Sequence, residues 1–150
     1  MNDRLDDFVN QLQQKIFDEA RQTLGKDGFE RWRNPKYNRT MEDPDACARV
    51  TGSCGDTMEI FLKFDGQRVI EASYITDGCG SSSVCGSFAV EMAIGKNPDE
   101  IIAIDGNSIL ARLGRLPEEE RHCAFLAAET LQAALHEHMV KLGNRRRTGD

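Results

Sequence analysis

Three short segments of the chain carry thiols beside other groups able to hold a soft metal: Gly52-Ser53-Cys54-Gly55-Asp56, Gly78-Cys79-Gly80 and His122-Cys123. Thiolate and imidazole suit zinc, copper(I) and iron–sulfur clusters, whereas an all-oxygen set suits magnesium or calcium. Taken as one centre gathered from three places, the set points to zinc or an iron–sulfur cluster. The three cysteines stand 25 and 44 residues apart and form no C-x-x-C pair, so spacing alone is a weak signal. Glycines flank two of the thiols, and glycine backbone can turn with positive φ and approach a bound ion closely. Small buried cysteines beside ordinary turns explain the same residues, and these segments by themselves leave the two readings level.

The elements that must bring the segments together are legible from periodicity. From Ala46 the apolar period is two: Met58, Ile60, Leu62 and Phe64 alternate with Thr57, Glu59, Phe61 and Lys63. Asp65-Gly66 then supplies a hairpin turn before Ile70, Ala72 and Tyr74 resume the alternation. Ala46 to Ser53 supplies a third strand. Cys54 and Asp56 then lie between the first two strands and Cys79 ends the last, so both loops can meet at one edge of a small sheet. Ser81 to Ser83 are expected to cap a helix carrying Val84, Phe88, Ala89 and Met92 and stopped by Gly95. Cys79 thus falls near a helix N-terminus, where the dipole favours thiolate.

Asn97-Pro98-Asp99-Glu100 is a helix start with a cap residue, proline at the first position and glutamate at the third. A short helix around Asn107 to Leu113 follows, ended by Gly114. Pro117 and Glu118 to Glu120 open the last helix, whose apolar face runs through Leu126, Thr130, Ala134 and Leu135 to Leu142. His122 and Cys123 sit early in it, and adjacent helical side chains diverge by roughly 100°, so one can point at a metal while the other flanks it. Upstream, Leu5, Phe8, Val9, Leu12, Ile16, Ala20 and Leu24 share one face of an amphipathic helix over Asp3 to Leu24, expected to dock on the body. The stretch on to Asp45, with Gly25, Gly28, Pro35 and Pro44, reads as a long loop. The fold class expected is α+β: a small three-stranded antiparallel sheet against four to five helices, the C-terminal one long. The domain division expected is 1–45 as helix and loop, 46–143 as the metal-bearing domain and 144–150 as a basic tail.

At 150 residues and 39% hydrophobic composition the chain can bury one core. A net charge of −6 argues against a nucleic-acid partner, since phosphate binding wants a concentrated basic surface. Arg145-Arg146-Arg147 is the only basic run and reads as a solvated tail. No apolar stretch approaches the roughly 20 residues a membrane helix needs. Asp3, Asp6 and Asp7 make the start too acidic for a transit peptide, and a secretory apolar core is missing, so a cytoplasmic location is expected. Five cysteines, an odd number, favour reduced thiols and metal binding over a disulfide framework.

The motifs GSCGDTMEIFLKF, VIEASYITDGCGSSS, GKNPDE, and LGRLP followed by RHCAFLAAETLQAAL occur in order from about Arg49 to Ala134. Together they resemble the IscU/NifU-type scaffold family, on which iron–sulfur clusters are assembled. The likeness is faint over the first third, where little beyond Asn34-Pro35 lines up. The resemblance places the cluster ligands on Cys54, Asp56, Cys79, His122 and Cys123. It implies a scaffold and carrier rather than an enzyme. A cysteine desulfurase would deliver persulfide sulfur to Cys123 or Cys79, and a ferredoxin-type donor would reduce it. Iron already at the site would complete a transient [2Fe–2S] cluster for apo-protein recipients. Zinc can occupy such a tetrahedral thiolate site in isolated protein. The alternatives are a zinc-binding sulfur-acceptor partner of a desulfurase, whose members carry an insertion between the second and third cysteines that this chain lacks, and a structural zinc module.

An aspartate is a harder and more weakly held ligand than a thiolate, so Asp56 is expected to make the cluster easier to release; its simpler role would be to cap the turn. Two departures from the family pattern stand out. Members served by a dedicated Hsp70-type chaperone carry Leu-Pro-Pro-Val-Lys before the His-Cys pair, whereas this chain has Leu116-Pro117-Glu118-Glu119-Glu120, which argues against that partner. Cys47 and Cys85 are extra thiols, expected to be small buried hydrophobes.

Overall fold

The alternating apolar pattern folds as a meander in the computed structural model, which describes residues 3–147. Strand β1 (Ala46–Thr51) pairs antiparallel with β2 (Thr57–Asp65), and β2 pairs antiparallel with β3 (Arg68–Thr76), in the order β1-β2-β3. The register opposes Ala46 to Leu62 and Thr51 to Thr57, then Ile60 to Tyr74 and Leu62 to Ala72. Side chains alternate across a pleated strand, so this register puts Met58, Ile60, Leu62, Ala72 and Tyr74 on one face, each at most 1% exposed.

Helices α2 (Gly80–Ala93) and α5 (His122–Arg147) cover that face. Val84, Phe88 and Ala89 of α2 and Ala124, Ala127, Leu131 and Ala134 of α5 are fully buried against it. Between them run α3 (Pro98–Ile102) and α4 (Gly106–Leu113). The expected capping box of α3 is present: Asn97 Oδ1 accepts from the Glu100 N–H at 2.9 Å, and Glu100 Oε1 from the Asn97 N–H at 3.2 Å. Helix α4 starts at Gly106 behind an Asp105 cap, one residue earlier than the sequence suggests. The fold is thus the α+β arrangement anticipated, with a three-stranded sheet and, among the described residues, five α-helices of which the C-terminal one is long.

Four local expectations are corrected. Helix α1 (Asp3–Arg33) does not stop at Leu24 but continues through a kink at Gly25 (φ 78°). The continuation is held because Phe29 is buried and the Arg31 guanidinium donates to Ser87 Oγ at 3.1 Å and to Glu91 Oε2 at 2.6 Å. The loop is therefore confined to residues 34–45. The apolar face of the first half of α1 does not dock among the described residues: Leu5, Phe8, Val9, Leu12 and Ile16 are 44–63% exposed. Helical period reveals that a face exists but carries no information on what it meets.

The serines do not cap α2. Cys79 is its N-cap residue and makes no side-chain cap bond, while the three hydroxyls engage other groups. Finally, Glu118–Glu120 form a separate 3₁₀ turn ahead of α5, and α5 extends through Arg147, so residues 144–147 are helical; the rest of the expected tail, residues 148–150, lies outside the described residues. Among the described residues no helix is long and apolar enough to cross a membrane.

Candidate metal centre

The turn joining β1 to β2 delivers the first thiol. Its backbone closes by Gly52 N–H to Asp56 O at 2.8 Å and Gly55 N–H to Gly52 O at 3.0 Å, with Gly55 at φ 93°. A side-chain-bearing residue rarely adopts that conformation. Gly55 therefore lets the chain reverse between Cys54, which is exposed, and Asp56, which is half-buried. The end of β3 is laced to the start of β2, since the Thr57 N–H donates to Asp77 Oδ1 at 2.7 Å and the Asp77 N–H to Thr57 O at 3.2 Å. Cys79, exposed, follows at once. Both loops thus emerge at the same sheet end, as the strand pattern implies.

The third segment arrives from the opposite layer. His122 and Cys123 are the first residues of α5, and the N-terminal end of that helix meets the sheet end where the loops emerge. Donor atoms of Cys54, Asp56 and His122 lie within 4.8 Å of one another, as do those of Asp56, Cys79 and Cys123. The two triads share Asp56. Cys123 Sγ and His122 Nε2 are 3.7 Å apart, which links the triads on their far side. His122 is exposed and Cys123 is fully buried, so the angular divergence of neighbouring helical residues places one at the rim and one at the floor. All five sequence-derived candidates are brought together.

Burial pushes the Cys123 thiol up to about 11, with the nearby Cys79 and Asp56 adding to the rise and the Ser82 hydroxyl opposing it. A thiol held this way is protonated near neutral pH and must give up its proton before it binds a metal or attacks sulfur. Three thiols, a carboxylate and an imidazole form a soft donor set that fits zinc or an iron–sulfur cluster and is wrong for magnesium or calcium. The centre opens to the surface on one side, since Cys54, Cys79 and His122 are exposed while Cys123 is buried beneath them. Exposed ligands suit a centre that must be reached by another protein.

Sequence reasoning passed over two contributors. Ser82, fully buried on the first turn of α2, has its Oγ 3.1 Å from Asp56 Oδ2 and 3.3 Å from Cys123 Sγ. The only sequence signal was a serine three residues past a candidate ligand, which helix capping explained equally well. Trp32 is the other: a Cβ at Gly80 would stand 2.4 Å from its indole ring, so the second half of α1 packs directly over the residue after Cys79. Nothing in the spacing of an isolated tryptophan reports such a contact.

Cys85 is fully buried in α2, as expected, and its thiol is raised by burial. Cys47 is only half-buried on β1, where its backbone N–H donates to Glu137 Oε2 at 3.3 Å, so the small-hydrophobe expectation fits it less well. Neither belongs to the two triads.

The family described as NifU-like N terminal domain matches residues 25–144. Iron-sulfur cluster assembly scaffold protein IscU 1 of Archaeoglobus fulgidus is 34% identical over 116 residues, spanning 77% of this chain and 76% of that protein. Nitrogen fixation protein NifU of Azotobacter chroococcum is 37% identical over 109 residues, spanning 71% of this chain but 35% of that longer protein. The crystal structure of the N-terminal part of a NifU-like protein from Brucella abortus has the same fold, with a TM-score of 0.64 over 81% of this chain and 97% of that one at 21% identity.

Proposed function

This chain belongs to the NifU-like N-terminal domain family, and from that premise we propose that it is a scaffold on which an iron–sulfur cluster is built and from which it is handed on. The observation that carries the reading is the pair of ligand triads sharing Asp56, each within 4.8 Å, at an exposed end of the sheet. Cys54, Asp56, Cys79, His122 and Cys123 are the residues to which the cluster is assigned.

Sulfur arrives as the terminal sulfur of a desulfurase persulfide. An acceptor thiolate attacks that sulfur, the donor S–S bond breaks, the desulfurase cysteine departs as thiolate and a persulfide forms on the acceptor. The acceptor candidates differ in access. Cys79 is exposed and reachable as folded, whereas Cys123 is fully buried and accepts sulfur only when its surroundings open or by attack on a persulfide at the neighbouring Cys79. Two electrons from a ferredoxin-type donor then cleave the acceptor persulfide into thiolate and sulfide. With iron held by the ligand set, the sulfide enters a [2Fe–2S] cluster destined for apo-protein recipients. The chain is a carrier rather than a turnover catalyst, acting in the cytoplasm. The three glutamates before His122 remove the apolar and basic stretch a dedicated Hsp70-type chaperone would grip.

Anaerobic reconstitution with iron, cysteine and a desulfurase tests this. The expected result is visible sulfur-to-iron charge-transfer absorbance that decays as an apo-ferredoxin gains its cluster. Zinc-only occupancy together with stimulation of desulfurase turnover would instead identify a zinc-dependent sulfur acceptor.

A further inference from the structure

We propose that Ser82 is a positioning residue of the centre, a hydroxyl that passes its hydrogen bond from Asp56 to the Cys123 sulfur as the centre fills. The inference rests on Asp56, Cys79 and Cys123 being part of the seat for metal or cluster. Ser82 is 0% exposed, and its Oγ lies 3.1 Å from Asp56 Oδ2, 3.3 Å from Cys123 Sγ and 3.9 Å from Cys79 Sγ. It therefore contacts three of the five donors at once. The hydroxyls on either side are committed elsewhere, Ser81 donating to Glu120 Oε2 at 2.7 Å and Ser83 lying 2.8 Å from the Tyr74 hydroxyl.

A serine hydroxyl carries one hydrogen, so only one acceptor receives it at a time. Of a carboxylate and a thiol the carboxylate is the stronger acceptor, and the bond holds Asp56 against the thiols instead of letting it swing to solvent. The backbone on that side is already closed: a Cβ at Gly78 would stand 2.6 Å from Ser82 Oγ and 2.9 Å from Asp56 Oδ2. A metal taking Asp56 and Cys123 competes for the first acceptor and converts the second into a coordinated thiolate. The hydrogen then turns to sulfur, where a hydrogen bond withdraws electron density from the ligand. On release the freed carboxylate finds the same hydroxyl waiting, so its departure from the metal leaves no buried polar atom without a partner.

Cobalt(II) titrated anaerobically into the metal-free protein is the probe, because its thiolate-to-metal absorbance reports both occupancy and the donor strength of sulfur. Ser82→Ala removes one oxygen and places the best helix former on α2, so the fold is kept. The variant is expected to bind cobalt about 10-fold more weakly, the low end for losing a partner of a metal ligand. Its charge-transfer band is expected at longer wavelength, because a sulfur without its hydrogen bond gives up an electron more easily. A purely structural role would weaken binding without moving the band. An unmoved band in Ser82→Ala overturns the role of Ser82 and leaves the centre intact. Absence of a charge-transfer band in the wild-type protein overturns the centre itself, and the Ser82 inference with it.

Discussion

Asp56 is the hard donor in a soft set, and the geometry makes it the common member of both triads. A ligand shared this way is the natural point at which the centre opens. In the proposed centre its carboxylate has an alternative partner at 3.1 Å in Ser82, so leaving a bound metal would cost it little. Asp56→Ala is therefore expected to give a cluster that persists longer and transfers several-fold more slowly. Transfer to an apo-ferredoxin followed by circular dichroism measures this directly, and unchanged or faster delivery would count against the role. The thiols, Asp56 and His122 stand out as candidates by residue type, because cysteine, aspartate and histidine can all ligate metal, but it took the order of the motifs to favour one centre over separate buried cysteines. Ser82 does not stand out, since a serine near a helix start has a sufficient local explanation in capping, and only the fold shows that its hydroxyl points inward.

At the scale of elements, the site depends on three junctions: the β1–β2 turn, the β3–α2 corner and the start of α5. The corner is the tightest, because Gly80 lies under the Trp32 indole with no room for a methyl group. Gly80→Ala is expected to destabilise the protein by about 1–3 kcal/mol through overpacking and to disturb Cys79 beside it. Urea unfolding of the metal-free protein reads this out, and a wild-type midpoint would show that Trp32 yields without cost. The two halves of α1 differ sharply. The part beyond the Gly25 kink carries the buried Phe29 and Arg31, whereas Leu5, Phe8, Val9 and Leu12 stand in solvent. Removal of residues 1–12 is expected to leave the melting temperature unchanged; a clear drop would mean that this segment packs on the body after all. The strands and the Asn97 capping box were legible because both are local patterns, whereas the three serines after Cys79 looked like a cap and are drawn to other partners. The course of α1 was not legible, because Gly25 and Gly28 look like helix breakers until the packing of Phe29 and Arg31 outweighs them.

For the molecule as a whole, an ordinary α+β core serves as a clamp. The sheet end presents two loops bearing candidate ligands, α5 brings the third segment from the other layer, and the buried side chains of Ile60, Tyr74, Phe88 and Leu131 fix their relative positions. Convergence of segments 25 and 44 residues apart is a property of topology, so sequence spacing could suggest it but only the register and helix placement supply it. The family match over residues 25–144 begins at the α1 kink, which agrees with the second half of α1 belonging to the packed body. The most direct test of a scaffold centred on Cys54, Cys79 and Cys123 is the iron and acid-labile sulfide content of protein isolated anaerobically alongside its Cys123→Ser variant. Matching amounts of iron and sulfide in the wild type, lost or sharply reduced in the variant, are predicted; zinc without sulfide in both would contradict the account.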